Sequence, residues 1–224
     1  MSVSVARVWA GEGIGTAYLV SAVIGSGIMA ERLADGNAAV ALLANSIATG
    51  GALIALILAF GAVSGAHFNP VVSLAEAIAG RTRWPVVWHY LLAQMTGGLC
   101  AVIATHAMFE EPLLQISGHA RTGPAQWWGE VIATFGLVWV VQVCATKRAE
   151  ATAYAVAAYI TAAYWFTSST SFANPAVTVA RSLTDTFTGI RPADVPGFIA
   201  AQVVGALLAV AVLRLLGARR TPPD

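Results

Sequence analysis

The pair Asn-Pro occurs twice in this chain, as Asn69-Pro70 within "GAHFNPVVSL" and as Asn174-Pro175 within "SFANPAVTV". Proline is at home in the first position of a helix, and asparagine just before it is a good N-cap. Each pair therefore starts a helix, the first over 70–80 and the second over 175–186. At 1.5 Å per residue such helices reach only the middle of a bilayer. The stretches before them, "GAVSGAH" and "FTSSTSFA", are rich in Gly, Ser and Thr. Non-helical backbone at that depth is tolerated only inside protein or along a wet cavity.

The rest of the chain calls for a bilayer. It is 58% hydrophobic and 10% charged, whereas soluble domains are about 25% charged. Six apolar stretches are long enough to read as spans: 8–29, 39–61, 86–108, 127–146, 151–168 and 196–216. The fifth is the shortest. The first carries Glu12 and is followed by further spans, so it is not a signal peptide. Arg7, Arg81, Arg83, Lys147, Arg148, Arg219 and Arg220 fall on one side of this topology, and Arg32, Arg121 and Arg191 on the other. The excess places both termini in the cytoplasm. The net charge of +1 gives no reason to expect a nucleic-acid partner. Trp84, Trp88, Trp127 and Trp128 lie near span ends, as interface anchors do.

The chain is also a repeat. "GEGIGT" at 11–16 is matched by "GEVIAT" at 129–134, and "AQMTGGLCAV" at 93–102 by "AQVVGALLAV" at 201–210. Each half gives Gly-Glu, then Asn-Pro, then Ala-Gln-x-x-Gly. A single domain over 1–224 thus divides into copies at 1–120 and 121–224, with three spans each. An odd number of spans turns the second copy over relative to the first. The two half-helices then enter from opposite faces and meet N-terminus to N-terminus. Their positive ends and the side-chain amides of Asn69 and Asn174 converge on one spot. Such a spot welcomes a neutral solute with oxygen lone pairs and repels a cation.

Glu12 and Glu130 sit inside apolar spans, where a carboxylate is costly and needs a firm partner. The partners expected are N–H groups of the unwound loop before each half-helix. Gly97 and Gly205 allow close helix crossing, and Gln94 and Gln202 bond between helices. Cys100 and Cys144 both fall within spans, where they read as buried, inert thiols with no disulfide. His67, His89, His106 and His119 show no metal-ligand spacing. No nucleophile–base pair or phosphate loop is present, so neither an enzyme, a cofactor nor a metal is expected.

Taken together, the two Asn-Pro boxes, the two early glutamates and the two Ala-Gln-x-x-Gly signatures closely resemble the aquaporin and aquaglyceroporin superfamily, the membrane intrinsic proteins. The resemblance covers nearly the whole chain. It implies an all-α transmembrane fold, a right-handed bundle of six spanning helices with two re-entrant half-helices and one pore per subunit. It also implies a homotetramer in the bilayer. The boxes are then Asn69, Pro70, Val71 and Asn174, Pro175, Ala176, with Glu12, Glu130, Gln94 and Gln202 as structural support.

In most relatives an Arg follows Asn-Pro-Ala and lines an outer constriction; here that position is Val177. Counting from the boxes as the family is built gives Thr49, Ala162, Ser171 and Val177 as the constriction. None of these is aromatic or charged, which implies an unusually wide, mildly polar opening. Arg181 lies one turn on and is expected to face a loop or lipid headgroups. The pattern "NPAVTVARS" also resembles bacterial aquaporin-like channels linked to arsenic resistance. That resemblance implies undissociated arsenous acid, with glycerol, urea and water, as solutes crossing the inner membrane of a bacterium. Two other readings stand beside it: a water-selective aquaporin and an ion-coupled secondary transporter, since inverted repeats serve transporters as well.

Overall fold

In the computed structural model, residues 4–217 are described; Arg219 and Arg220 lie outside them. Eight α-helices follow in order: α1 Val5–Leu33, α2 Ala38–Ser64, α3 Pro70–Ile78, α4 Trp84–Phe109, α5 Pro124–Lys147, α6 Thr152–Phe166, α7 Pro175–Arg181 and α8 Val195–Leu215. Short 3₁₀ turns precede α6 and α8. The described residues contain no strand.

Local chemistry sets the ends. Asn37 Oδ1 accepts the amides of Ala39 and Val40 at 3.1 and 3.2 Å and starts α2. Gly65, at φ 94°, ends it in the left-handed conformation that glycine adopts without penalty. Five segments are long and apolar enough to cross a membrane. The sixth span is α6, with 15 residues against the roughly 20 usually needed; the 3₁₀ turn Ala149–Ala151 extends it. The chain is an integral, multi-pass membrane protein.

Helices pack in a matching order in the two parts of the chain. Helix α1 packs mainly on α2 and α4, and α5 on α6 and α8, while α2 and α6 join the halves. The tightest crossings are repeated too. A Cβ at Gly97 would collide with the backbone of Gly13, and one at Gly205 with the backbone of Val131 and Phe135. Only glycine lets α1 meet α4, and α5 meet α8, this closely. Apolar side chains such as Leu43, Ile47, Leu92 and Ile103 are exposed on the perimeter, and Trp84, Trp88, Trp127 and Trp128 are exposed near helix ends. The polar groups are gathered inside. Cys144 is only half-buried and Cys100 is exposed on α4; both are free thiols. The expectation of two buried thiols fails because Cys100 lies on the outward face of its helix.

Both half-helices are shorter than the sequence suggests. Helix α3 stops at Ile78, and the chain reverses through Gly80 at φ 77°. Helix α7 stops at Arg181 because the backbone beyond it is used elsewhere. The Ser182 carbonyl accepts the Ser117 amide and the Arg181 carbonyl accepts the Ile190 amide, at 3.0 and 3.2 Å. The first of these bonds ties the α7–α8 connection to the α4–α5 connection, and the second folds the α7–α8 connection back on the end of α7.

Candidate functional site

Each half-helix is reached through an arm of non-helical backbone, and the two arms match residue by residue at one constant offset. Ala66 and Phe68 take φ of 51° and 50°; their counterparts Ser171 and Ala173 take 51° and 48°. Left-handed conformations in residues other than glycine cost about 1–3 kcal/mol each. They persist here because each arm is pinned by a buried carboxyl.

Glu12 is fully buried. Its Oε1 accepts the Ser64 hydroxyl at 2.6 Å and the His67 amide at 3.0 Å. Its Oε2 accepts the Phe68 amide at 2.7 Å and Gln94 Nε2 at 2.8 Å. Glu130, also fully buried, accepts the Phe172 and Ala173 amides at 2.8 Å each and Gln202 Nε2 at 2.6 Å. Gln94 reaches on to Ser73 Oγ at 3.0 Å and Gln202 to Thr178 Oγ1 at 2.9 Å, both on the half-helices. Hydrogen bonds to a charged acceptor are worth about 1.5–3 kcal/mol each, enough to offset the strain of the arms. Each glutamate thus fixes the backbone that points into the bundle centre.

The arms meet at the two asparagines. Asn69 Oδ1 caps its own helix by accepting the Val71 amide at 3.1 Å. Asn174 Oδ1 accepts the Ala176 and Val177 amides at 3.0 and 3.3 Å. Each Nδ2 crosses to the other half: Asn69 donates to the Ala173 carbonyl at 2.7 Å and Asn174 to the Phe68 carbonyl at 2.8 Å. An amide NH₂ carries two hydrogens. One is spent on the opposite arm, which aims the other.

A cavity of about 150 Å³ runs past this junction. One side is apolar, with Leu19, Val23, Leu53, Leu137, Val141 and Ile160 among its residues. The other is formed by the arms, including Asn69 and Asn174. A water occupies roughly 30 Å³ in the liquid. The space therefore suits a short file of waters or one solute of a few heavy atoms.

Of the four residues expected at the constriction, Thr49, Ser171 and Val177 line this cavity and Ala162 does not. Ala162 is exposed on the opposite face of α6. The helix presents Val156, Ile160 and Tyr164 to the cavity, an i, i+4 series; a residue two positions from Tyr164 points about 200° away at 3.6 residues per turn. Counting back from Asn174 crossed the non-helical residues 167–173, where helical phase is lost. Tyr164 of α6 lines the cavity instead, with its hydroxyl 3.2 Å from Thr49 Oγ1. The i, i+4 series was the available signal.

Arg181 also departs from expectation. It is only 2% exposed and lines the cavity rather than facing a loop or lipid. Its Nε donates to the Thr188 carbonyl, and its guanidinium carbon lies 3.3 Å from the centroid of the Phe172 ring. Phe172 lines the cavity too, as does its counterpart His67, which stacks on Tyr90 with ring centroids 4.5 Å apart. The rim at the Arg181 end therefore carries an aromatic, Phe172, and a charge. The sequence-derived set of Thr49, Ala162, Ser171 and Val177 has neither.

The description "Major intrinsic protein" belongs to a family model that matches residues 1–153 and 142–222, which together take in all of the described residues. The chain belongs to the major intrinsic protein family. It is 50% identical over 205 residues to aquaglyceroporin AqpS of Rhizobium meliloti (strain 1021), covering 92% of this chain and 88% of that protein. A shorter likeness, 37% identity over 91 residues, links it to aquaporin NIP2-1 of Zea mays, with 39% of this chain and 30% of that protein covered. Among solved structures, the aquaglyceroporin from Plasmodium falciparum superposes with a TM-score of 0.69 over 94% of this chain and 96% of that one. At 19% identity, that likeness speaks for the fold. In this major intrinsic protein the arms, the paired asparagines and the cavity are one continuous structure.

Proposed function

We propose that the cavity is the pore of a passive, aquaglyceroporin-type channel for small uncharged solutes. The observation that carries this reading is the crossed pair of asparagines. Both amides lie in the cavity wall, each fixed by its own helix and by the opposite arm. They offer donors to a solute oxygen without having to reorganise, while the facing wall of Leu and Val offers none. A hydroxylated solute exchanges water for these donors at little cost. Beside the asparagines a cation meets hydrogen-bond donors and positive helix ends, and loses its hydration uncompensated.

Val177 sets the width of the outer mouth. A guanidinium at that position would fill space that the valine leaves open. Undissociated arsenous acid, glycerol and urea are the solutes proposed to pass, arsenous acid on the resemblance of "NPAVTVARS" to arsenic-linked channels. The homotetramer, the bacterial inner membrane and the cytoplasmic termini belong to the same proposal. One observation favours a narrower, water-selective pore: Tyr164, bonded to Thr49 across the mouth.

Reconstitution into liposomes separates the two readings. Light scattering gives water, glycerol and urea permeability, and arsenous acid uptake at neutral pH is followed in parallel against empty vesicles. Fast, non-saturating solute flux that ignores ion gradients is the expected result. Water flux alone would establish Tyr164 as the limiting group, and saturable, ion-coupled flux would make the protein a transporter.

A further inference from the structure

Position 177 leaves the mouth without a charge of its own, yet two guanidiniums stand against Phe172, a ring in the same cavity wall. Arg181 comes from the last turn of α7. Arg121 comes from the α4–α5 connection, which folds back over the bundle. The Gly118 amide donates to Asp185 Oδ1 at 2.8 Å and the Arg121 amide to Asp194 Oδ2 at 2.8 Å. The Arg191 amide donates to the His119 carbonyl at 2.7 Å. With its backbone so held, the half-buried Arg121 side chain turns inward. Its guanidinium carbon lies 5.1 Å from the centroid of Phe172, the ring that Arg181 also covers.

The two side chains are anchored alike. Each spends Nε on a backbone carbonyl, Arg121 on Gly189 at 2.7 Å and Arg181 on Thr188. Among the described residues the Nη groups of both have no hydrogen-bond partner, and neither has a carboxylate in ion-pair range. Asp194 and Asp185 are engaged with amides, Arg191 and His119. Beside them Ser171 Oγ, buried and lining the cavity, also lacks a partner. Arg181 and Ser171 therefore face whatever enters, and Arg121 adds a second fixed positive charge close to Phe172 in the same wall.

We infer that Arg121 and Arg181 together are the specificity-determining charges of this pore, excluding cations from beside the opening so that the opening at Val177 stays wide. The inference rests on the channel reading above and names its selectivity. Guanidiniums held to one side stop a cation by repulsion across a poorly screened space without narrowing the path of a neutral solute. Their free Nη groups, with Ser171 Oγ, are donors and an acceptor for the first hydroxyl of that solute.

The test uses the full-length protein in liposomes, with sodium and proton leak measured by entrapped dyes under a clamped potential, alongside glycerol flux. Arg121→Gln and Arg181→Gln are each expected to raise the ratio of cation leak to glycerol flux by about tenfold, and the double variant by more. Arg121→Lys and Arg181→Lys, which keep the charge, are expected to stay near the wild-type ratio. Arg181 is buried, so circular dichroism and gel filtration establish which variants fold; the loop residue Arg121 supplies the test alone if Arg181→Gln does not. A folded Arg121→Gln protein with an unchanged ratio overturns the inference, as does a Lys variant that leaks as much as Gln. Wild-type protein without glycerol or water flux would instead sink the channel reading itself.

Discussion

The two re-entrant arms have the same backbone and opposite electrostatics. Ala66 corresponds to Ser171, Phe68 to Ala173, Asn69 to Asn174 and Val72 to Val177, and the left-handed residues and carboxyl acceptors fall at matching places. Continue the correspondence one turn further and it breaks: Glu76 on α3 answers to Arg181 on α7, and both line the cavity. Glu76 is neutralised by Arg81, whose Nε donates to Oε2 at 2.6 Å. Arg181 has a carbonyl and an aromatic ring instead. One mouth is thus a closed ion pair and the other a surplus of positive charge. What the arms need in order to fold is the same in both. The charge one turn beyond the box is free to differ, and it is there that the two entrances acquire separate characters.

The comparison breaks most violently if the pins are not equivalent. Glu12→Ala and Glu130→Ala each strand several buried donors, at a cost on the order of 3–5 kcal/mol. Both proteins are expected to lose folded yield and flux to a similar degree, since Ser64 bonds Glu12 as Ser169 bonds Glu130. Thermal unfolding in detergent checks this; a stable, conducting Glu130→Ala channel would show that the second arm holds itself.

A smaller effect sharpens the difference in charge. Val72→Arg and Val177→Arg place the same side chain at matched depths. At 72 the new charge has Glu76 nearby; at 177 it joins two unpaired guanidiniums. Val177→Arg is expected to cut glycerol flux about tenfold or more, an added barrier of about 1.4 kcal/mol, while water flux survives and Val72→Arg loses less. Equal losses in the two variants would make the charge asymmetry irrelevant to conduction, and equal loss of water and glycerol in Val177→Arg would mean plain blockage.

The mildest effect concerns acid. Burial alone would raise the pKa of Asp194, but the hydrogen bonds from Arg191 and the Arg121 amide outweigh it and hold the carboxyl below the usual range. A depressed value in the folded state stabilises above the unfolded pKa, about 3.9, and that stabilisation fades as pH falls through the lower folded value. The Arg121 loop is therefore expected to loosen below about pH 4. Asp194→Asn should remove this acid sensitivity while leaving the Glu76 mouth unaffected. Hydrogen exchange at residues 117–121 as a function of pH reads it directly; identical profiles in the two proteins would acquit Asp194.

Most of the scaffold was legible in the sequence because its signals are local. Apolar length located the spans to within a few residues, and Asn-Pro located both half-helix starts. The glycine crossings showed in the repeated Ala-Gln-x-x-Gly. What was not legible depends on groups far apart in the chain. The end of α7 is set by bonds to Ser117 and Ile190. The phase of α6 relative to Asn174 is set by a loop without periodicity, so Tyr164 was missed and Ala162 chosen. Arg181 reads as a surface residue until Phe172 and the Thr188 carbonyl are placed beside it, and nothing near Arg121 in sequence announces that its loop returns to the pore.

The crossed asparagines carry one more consequence, for how the chain assembles. When the first half has entered the membrane, Asn69 Nδ2 and the Phe68 carbonyl have no partners, since both bond to residues more than one hundred positions ahead. Those partners arrive only after α6 is in place. The centre of the pore is therefore the last part to close, and it closes as a single long-range event whose loop entropy must be met before any of its bonds repay it. Until then the first arm waits, strained and half-satisfied, held by Glu12 and its neighbours in the first half.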